Sequence, residues 1–123
     1  MIFDTDVLIW TLRGSEKAAR AVEEDENRAV SIVSCMELFQ GARGKHELSA
    51  IRRFLLEFDT LPLSENIGYR ASIYMQEYAL KAGLRLADSL IAATAVERQE
   101  TLCSVNVRHY RAISELGLKV FRL

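Results

Sequence analysis

Proline and tryptophan occur once each in this sequence, and cysteine and histidine twice each. A single proline leaves room for uninterrupted helices and excludes a proline-rich linker. The cysteines, Cys35 and Cys103, lie in apolar surroundings at no metal or redox spacing. They are expected to be buried, reduced thiols of a cytoplasmic protein. So few Cys and His side chains do not make a zinc site. Long hydrophobic runs are also missing. The most apolar stretches, residues 7–10 and 90–96, fall far short of the roughly 20 residues of a membrane-spanning helix. The opening Met1-Ile2-Phe3-Asp4 has no basic region and no long apolar core, so no secretory signal is expected. Neither charge sign dominates: 16 basic against 17 acidic residues give a net charge of −1, which excludes a polycation. Nucleic acid is not thereby excluded as a substrate, because most of the basic residues are Arg, whose planar fork suits phosphate.

What is present is 123 residues, 50% of them hydrophobic, enough for one globular domain over 1–123 without disulfides or a structural metal. Apolar β-branched segments alternate with helical patterns. Strands are expected at residues 1–3, 29–33, 60–63, 101–105 and 118–121, the third at a sheet edge because of Pro62. Helices are expected at 6–13, at 15–24 capped by Ser15, and from Ser34 to about 42. Further helices are expected at 46–58, from Ser64 to Gly83, at 88–98 and at 109–116. Strands separated by helices predict a three-layer α/β fold with a parallel sheet covered on both faces.

In such a sheet, sites gather beyond the carboxyl ends of the strands, where strand order reverses. Asp4 follows the first strand and Asp6 opens the next helix. Glu37 lies one turn into the helix after the second strand, Asp88 opens a later helix, and Asn106 follows the fourth strand. Each has a purely structural alternative. Asp6 and Asp88 fit helix N-caps, Ser34 and Glu37 fit a capping box, and Asn106 fits a turn. Taken together, the acids argue otherwise. Two carboxylates about 4 Å apart oppose each other by about 4 kcal/mol at an effective dielectric of 20, so a cluster persists only where a cation binds it. An all-oxygen set suits Mg²⁺ or Mn²⁺ rather than Zn²⁺.

Four motifs in order resemble those of PIN-domain ribonucleases, specifically the VapC-like toxins of type II toxin–antitoxin pairs. They are Ile2-Phe3-Asp4-Thr5-Asp6-Val7-Leu8-Ile9; Ser31 to Leu38 followed by Gly41-Ala42-Arg43; Leu86-Ala87-Asp88-Ser89-Leu90-Ile91-Ala92-Ala93-Thr94-Ala95; and Ser104-Val105-Asn106 with His109-Tyr110. The resemblance implies a PIN-like fold with strand order 3-2-1-4-5. It also implies a metal-dependent endoribonuclease with Asp4, Glu37 and Asp88 as the catalytic, metal-binding acids. Asn106 falls on the family's fourth acidic position and Asp6 on a variable slot, so both join the candidate ligands, with Ser104 and Thr5 behind them. Arg85 and Arg108 are candidate contacts to RNA phosphates. A homodimer and a VapB-like antitoxin partner are implied as well. Histidine chemistry is not needed, and His109 reads more simply as a packing residue. Two alternatives stand beside this one: a haloacid-dehalogenase-like phosphatase, suggested in outline by Asp4-Thr5-Asp6, and a catalytically silent PIN-like binding module.

Overall fold

Side chains two residues apart in a strand share a face, and the first strand divides its two residues accordingly. Ile2 joins a core with Ala29, Leu102 and the helices of one face, whereas Phe3 joins Val30 and Cys103 in a second core on the other. The computed structural model describes the whole chain, residues 1–123. In chain order the elements are β1 (Ile2–Phe3), α1 (Thr5–Leu12), α2 (Glu16–Glu23), β2 (Ala29–Ser31), α3 (Ile32–Gly41) and α4 (Lys45–Leu55). They continue with β3 (Asp59–Leu61), α5 (Glu65–Ala82), α6 (Leu86–Glu97), β4 (Leu102–Ser104) and β5 (Leu118–Val120). All strand pairs are parallel and the sheet order is β3-β2-β1-β4-β5, so β3 is an edge strand as Pro62 suggested. No helix is long and apolar enough to cross a membrane.

The packing follows the sequence pattern closely where the pattern is long. In α5 the Ser64 side chain accepts the Ile67 N–H, Ile67, Ala71 and Tyr74 are buried, and Gly83 closes the helix at φ 71°. That left-handed position favours glycine, and the Ser64 cap contributes about 1 kcal/mol. Helices α5 and α6 supply one core, with Val33 of α3, Tyr110, Ile113 and Leu116; α1, α2 and α4 supply the other with Cys35 and Leu38 of α3.

Four local expectations need correction. Helix α3 starts at Ile32 rather than Ser34, because the Ser31 side chain caps it by accepting the Val33 N–H at 3.1 Å. A capping box of Ser34 and Glu37 is therefore not formed. The cap of α1 is Asp4, not Asp6, since Asp4 Oδ1 accepts the Thr5 N–H at 2.9 Å. Arg85 is the residue that precedes α6, which places Asp88 third in the helix rather than at its cap. Residues 107–116 form successive turns instead of a helix. Buried Tyr110, Ile113 and Leu116 recur every third residue, and the backbone bonds Tyr110 N to Val107 O, Ile113 N to Tyr110 O and Leu116 N to Ile113 O keep that tight spacing.

Candidate active site

Parallel pairing of β1 with β4 sets Phe3 beside Cys103, so the next residue of each strand, Asp4 and Ser104, emerges at the same carboxyl edge. The Asp4 N–H donates to Cys103 O at 2.9 Å, and the Ser104 hydroxyl donates to Asp4 Oδ2 at 2.7 Å. The same hydroxyl lies 3.1 Å from Asp6 Oδ2, so two neighbouring carboxylates compete for one hydrogen. Asp6 is further held by the backbone: the N–H groups of Asn106 and Val105 donate to it at 2.9 and 3.3 Å.

Two further acids enter through hydroxyl bridges. The Tyr110 hydroxyl lies 3.0 Å from Asp4 Oδ2 and 3.3 Å from Asp88 Oδ1, while His109 Nδ1 lies 2.9 Å from Asp88 Oδ2. On the other side, the Thr5 hydroxyl lies 2.7 Å from Glu37 Oε1 and 2.8 Å from Ser34 Oγ. The carboxylates of Asp4, Asp6, Glu37 and Asp88 thus belong to one network, linked by Thr5, Ser104 and Tyr110. They meet through these groups rather than around a common centre, and no three Asp, Glu, His or Cys side chains stand ready-placed around one point for an ion.

Burial grades the site. Asp4 is buried, Asp6 and Asp88 are half-buried, and Glu37 is exposed. Burial, with the charge of Asp6 adding to it, pushes the Asp4 carboxyl up to about 7 against the opposing effect of its hydrogen bonds from Ser104, Thr5 and Tyr110. Burial and the charges of Asp4 and Asp88 drive the Tyr110 phenol far above its ordinary range, so it is a neutral hydrogen-bond donor at any working pH. A bound cation would favour the ionised form of an acid held in a site whose neighbours resist its ionisation. The donors are hard oxygens, and neither cysteine belongs to the network, a fit to Mg²⁺ or Mn²⁺ chemistry.

The remaining candidates are less engaged. Asn106 is exposed and enters the network by its backbone alone, its N–H donating to Asp6 and Ser104 and its carbonyl lying 3.4 Å from the Ser104 hydroxyl, while its side chain makes no hydrogen bond. Arg85 and Arg108 are exposed and form no ion pair. Glu37 borders a groove of about 510 Å³ between α1, α3 and α4, lined by apolar Ile9, Leu12, Leu38 and Ile51 and by charges of both signs, Arg13 and Arg43 with Glu37 and Glu47. Sequence reasoning placed Tyr110 in a motif without giving it a role, and it treated His109 as packing. The missed signal is a tyrosine at a buried position: a phenol enclosed by apolar groups needs a polar partner, and here the partners are site acids.

Residues 1–114 match the PIN domain family. Ribonuclease VapC10 of Mycobacterium tuberculosis is 35% identical over 120 residues, covering 94% of this chain and 90% of that protein. Ribonuclease VapC1 of Methanocaldococcus jannaschii is 29% identical, covering 98% and 86%. Among solved structures, a toxin–antitoxin complex from Klebsiella pneumoniae contains a chain that superposes with a TM-score of 0.84 at 29% identity, covering 99% of this chain and 98% of that one. The DNA-bound VapBC of Salmonella typhimurium superposes at 0.86 with 20% identity and shares the fold.

Proposed function

The chain belongs to the PIN-domain family, and we propose that it is a divalent-metal-dependent endoribonuclease, a single PIN-like domain acting as the toxin of a toxin–antitoxin pair. The observation that carries this reading is the convergence of Asp4 and Asp88 on one buried hydroxyl at the carboxyl edge of β1 and β4. The names of the ribonuclease relatives give the substrate class. The match to the PIN family over residues 1–114 sets the phosphatase alternative aside.

Asp4 and Asp88 would be the principal holders of a Mg²⁺ or Mn²⁺ ion, and Asp6, Glu37 and the Asn106 side chain would supply further oxygens. When bound, such an ion lowers the pKa of a water and stabilises the charge developing on the departing 3′-oxygen. The protein's own contribution is positional. Thr5 occupies Glu37 Oε1, which leaves Oε2 to accept the proton of a water aligned against phosphorus. Ser104 and the Asn106 and Val105 N–H groups keep Asp4 and Asp6 oriented despite their mutual repulsion. Exposed Arg85 and Arg108 flank this edge and provide contacts for RNA phosphates. The groove beside Glu37, apolar in part and lined by charges of both signs, is the place for a segment of a VapB-like antitoxin, and the active form is a homodimer, as in the family resemblance.

Partner-free protein incubated with total RNA tests the reading. Cleavage is expected with Mg²⁺ or Mn²⁺, and none with EDTA or in Asp88→Asn. Equal cleavage in EDTA would refute the metal site, and no cleavage under any condition would favour a silent binding module.

A further inference from the structure

Tyr110 is 1% exposed, and its ring belongs to the core formed with α5 and α6, yet its hydroxyl ends among the acids at the carboxyl edge of β1 and β4. A phenylalanine would fill this position without burying a polar atom. A buried hydroxyl is costly unless it is paired, so its presence is accounted for by what it bonds. It bonds two acids from separate parts of the chain: Asp4 Oδ2 at 3.0 Å, beyond β1, and Asp88 Oδ1 at 3.3 Å, in the first turn of α6. No other side chain hydrogen-bonds to both. The remaining bonds to each acid come from elsewhere: Thr5 N–H and Ser104 on Asp4, His109 and the Arg85 N–H on Asp88.

A single O–H proton cannot satisfy two carboxylates at once. The phenol is therefore shared between them and draws both toward its own fixed oxygen, which the packed ring cannot move away. We propose that Tyr110 is a positioning residue that sets the separation of Asp4 and Asp88, and through it the affinity of this edge for a divalent cation. The inference rests on the metal-site reading above and goes beyond it, because it assigns the tuning of that site to a residue that need not touch the ion. The effect of removing such a supporting hydrogen bond is typically ten- to a hundredfold in metal affinity.

Tyr110→Phe keeps the ring and deletes only the hydroxyl. Mn²⁺ binding to RNA-free protein, measured by calorimetry, is expected to weaken about tenfold or more. The melting temperature in EDTA should stay within a few degrees of wild type, and kcat should recover at high Mn²⁺, so that the metal requirement shifts rather than the maximal rate. Exposed Tyr69, changed to Phe, is the control and should bind Mn²⁺ as wild type does. Unchanged Mn²⁺ affinity in Tyr110→Phe overturns the proposal while leaving the metal site intact, and so does a loss confined to thermal stability. A wild-type protein that binds no Mn²⁺ overturns both this proposal and the reading beneath it. If the variant does not fold, the wild-type chain decides: with tyrosines labelled at the ζ-carbon, Mg²⁺ should move one buried resonance, and no movement refutes the role.

Discussion

The Thr5 hydroxyl lies 2.7 Å from Glu37 Oε1, tying the first residue of α1 to the middle of α3. Thr5 is buried whereas Glu37 is exposed, so the threonine is the fixed partner and the glutamate the one being oriented. Without this bond Glu37 would sample its full set of rotamers over the groove.

Thr5→Val should accordingly lower kcat for RNA cleavage by about tenfold or more with little change in KM, since the residue aims a base rather than binding substrate. Thr5→Ser retains the hydroxyl and should recover most of the rate. Some stability is lost in the valine variant because buried Ser34 loses its partner, at a cost of about 1–3 kcal/mol. Rates are therefore compared well below both melting temperatures, and an unaltered kcat would remove Thr5 from the site.

Asp4→Asn is expected to abolish cleavage while leaving the metal-free protein as stable as wild type or more so. The asparagine oxygen can still accept the Thr5 N–H and so preserve the α1 cap. Its amide can donate to the hydroxyls of Ser104 and Tyr110, which then turn their own protons to Asp6 and Asp88. Charge opposing Asp6 is removed in the exchange. Asp4→Ala leaves the cap unfilled and should cost about 0.5–2 kcal/mol. Melting curves in EDTA distinguish the two, and a large loss in Asp4→Asn would mean that the negative charge itself stabilises the fold.

How much of this was legible beforehand depends on which interactions are local. The long helix from Ser64 to Gly83 could be read because cap, stripe and stop all lie within the element itself. The alternation of strands and helices pointed to a parallel sheet, whereas the strand order came from the resemblance to PIN domains and agrees with the sheet observed. The start of α3 was misplaced because Ser31 and Ser34 are equally good caps in sequence, and only the extended backbone of Ser31 decides between them. Asp4, Glu37 and Asp88 were singled out by their positions after strands and in motifs. Their linkage through Thr5, Ser104 and Tyr110 spans separations of up to 106 residues, to which no local pattern gives access.

Metal-free protein should lose stability as pH rises through the neutral range. Asp4 has a folded-state pKa raised to about 7 by burial and by Asp6, against roughly 4 in an unfolded chain. Between these values the unfolded chain releases the proton while the folded one retains it, so each step upward in pH favours unfolding. The loss begins near pH 4 and levels off above about pH 7. Melting temperatures in EDTA at pH 5 and pH 8 should differ in that direction, and Asp4→Asn should shrink the difference. An equal difference in the variant would assign the pH dependence to another group.

Cleavage products should carry 5′-phosphate and 3′-hydroxyl ends. The site offers carboxylates that would align a water, and attack by that water on phosphorus expels the 3′-oxygen without help from the neighbouring 2′-hydroxyl. A 2′,3′-cyclic phosphate would require a base to activate that hydroxyl and an acid for the leaving group, the usual work of two histidines. His46 is exposed in the first turn of α4, and His109 is engaged with Asp88, so the two are not paired over one cleft. Replacing the 2′-hydroxyl at the scissile bond with hydrogen should therefore slow cleavage only as far as binding weakens, raising KM and sparing kcat. Mass spectrometry of the fragments decides the matter: a cyclic phosphate would show that Asp4, beyond β1, and Asp88 of α6 do not direct the attack.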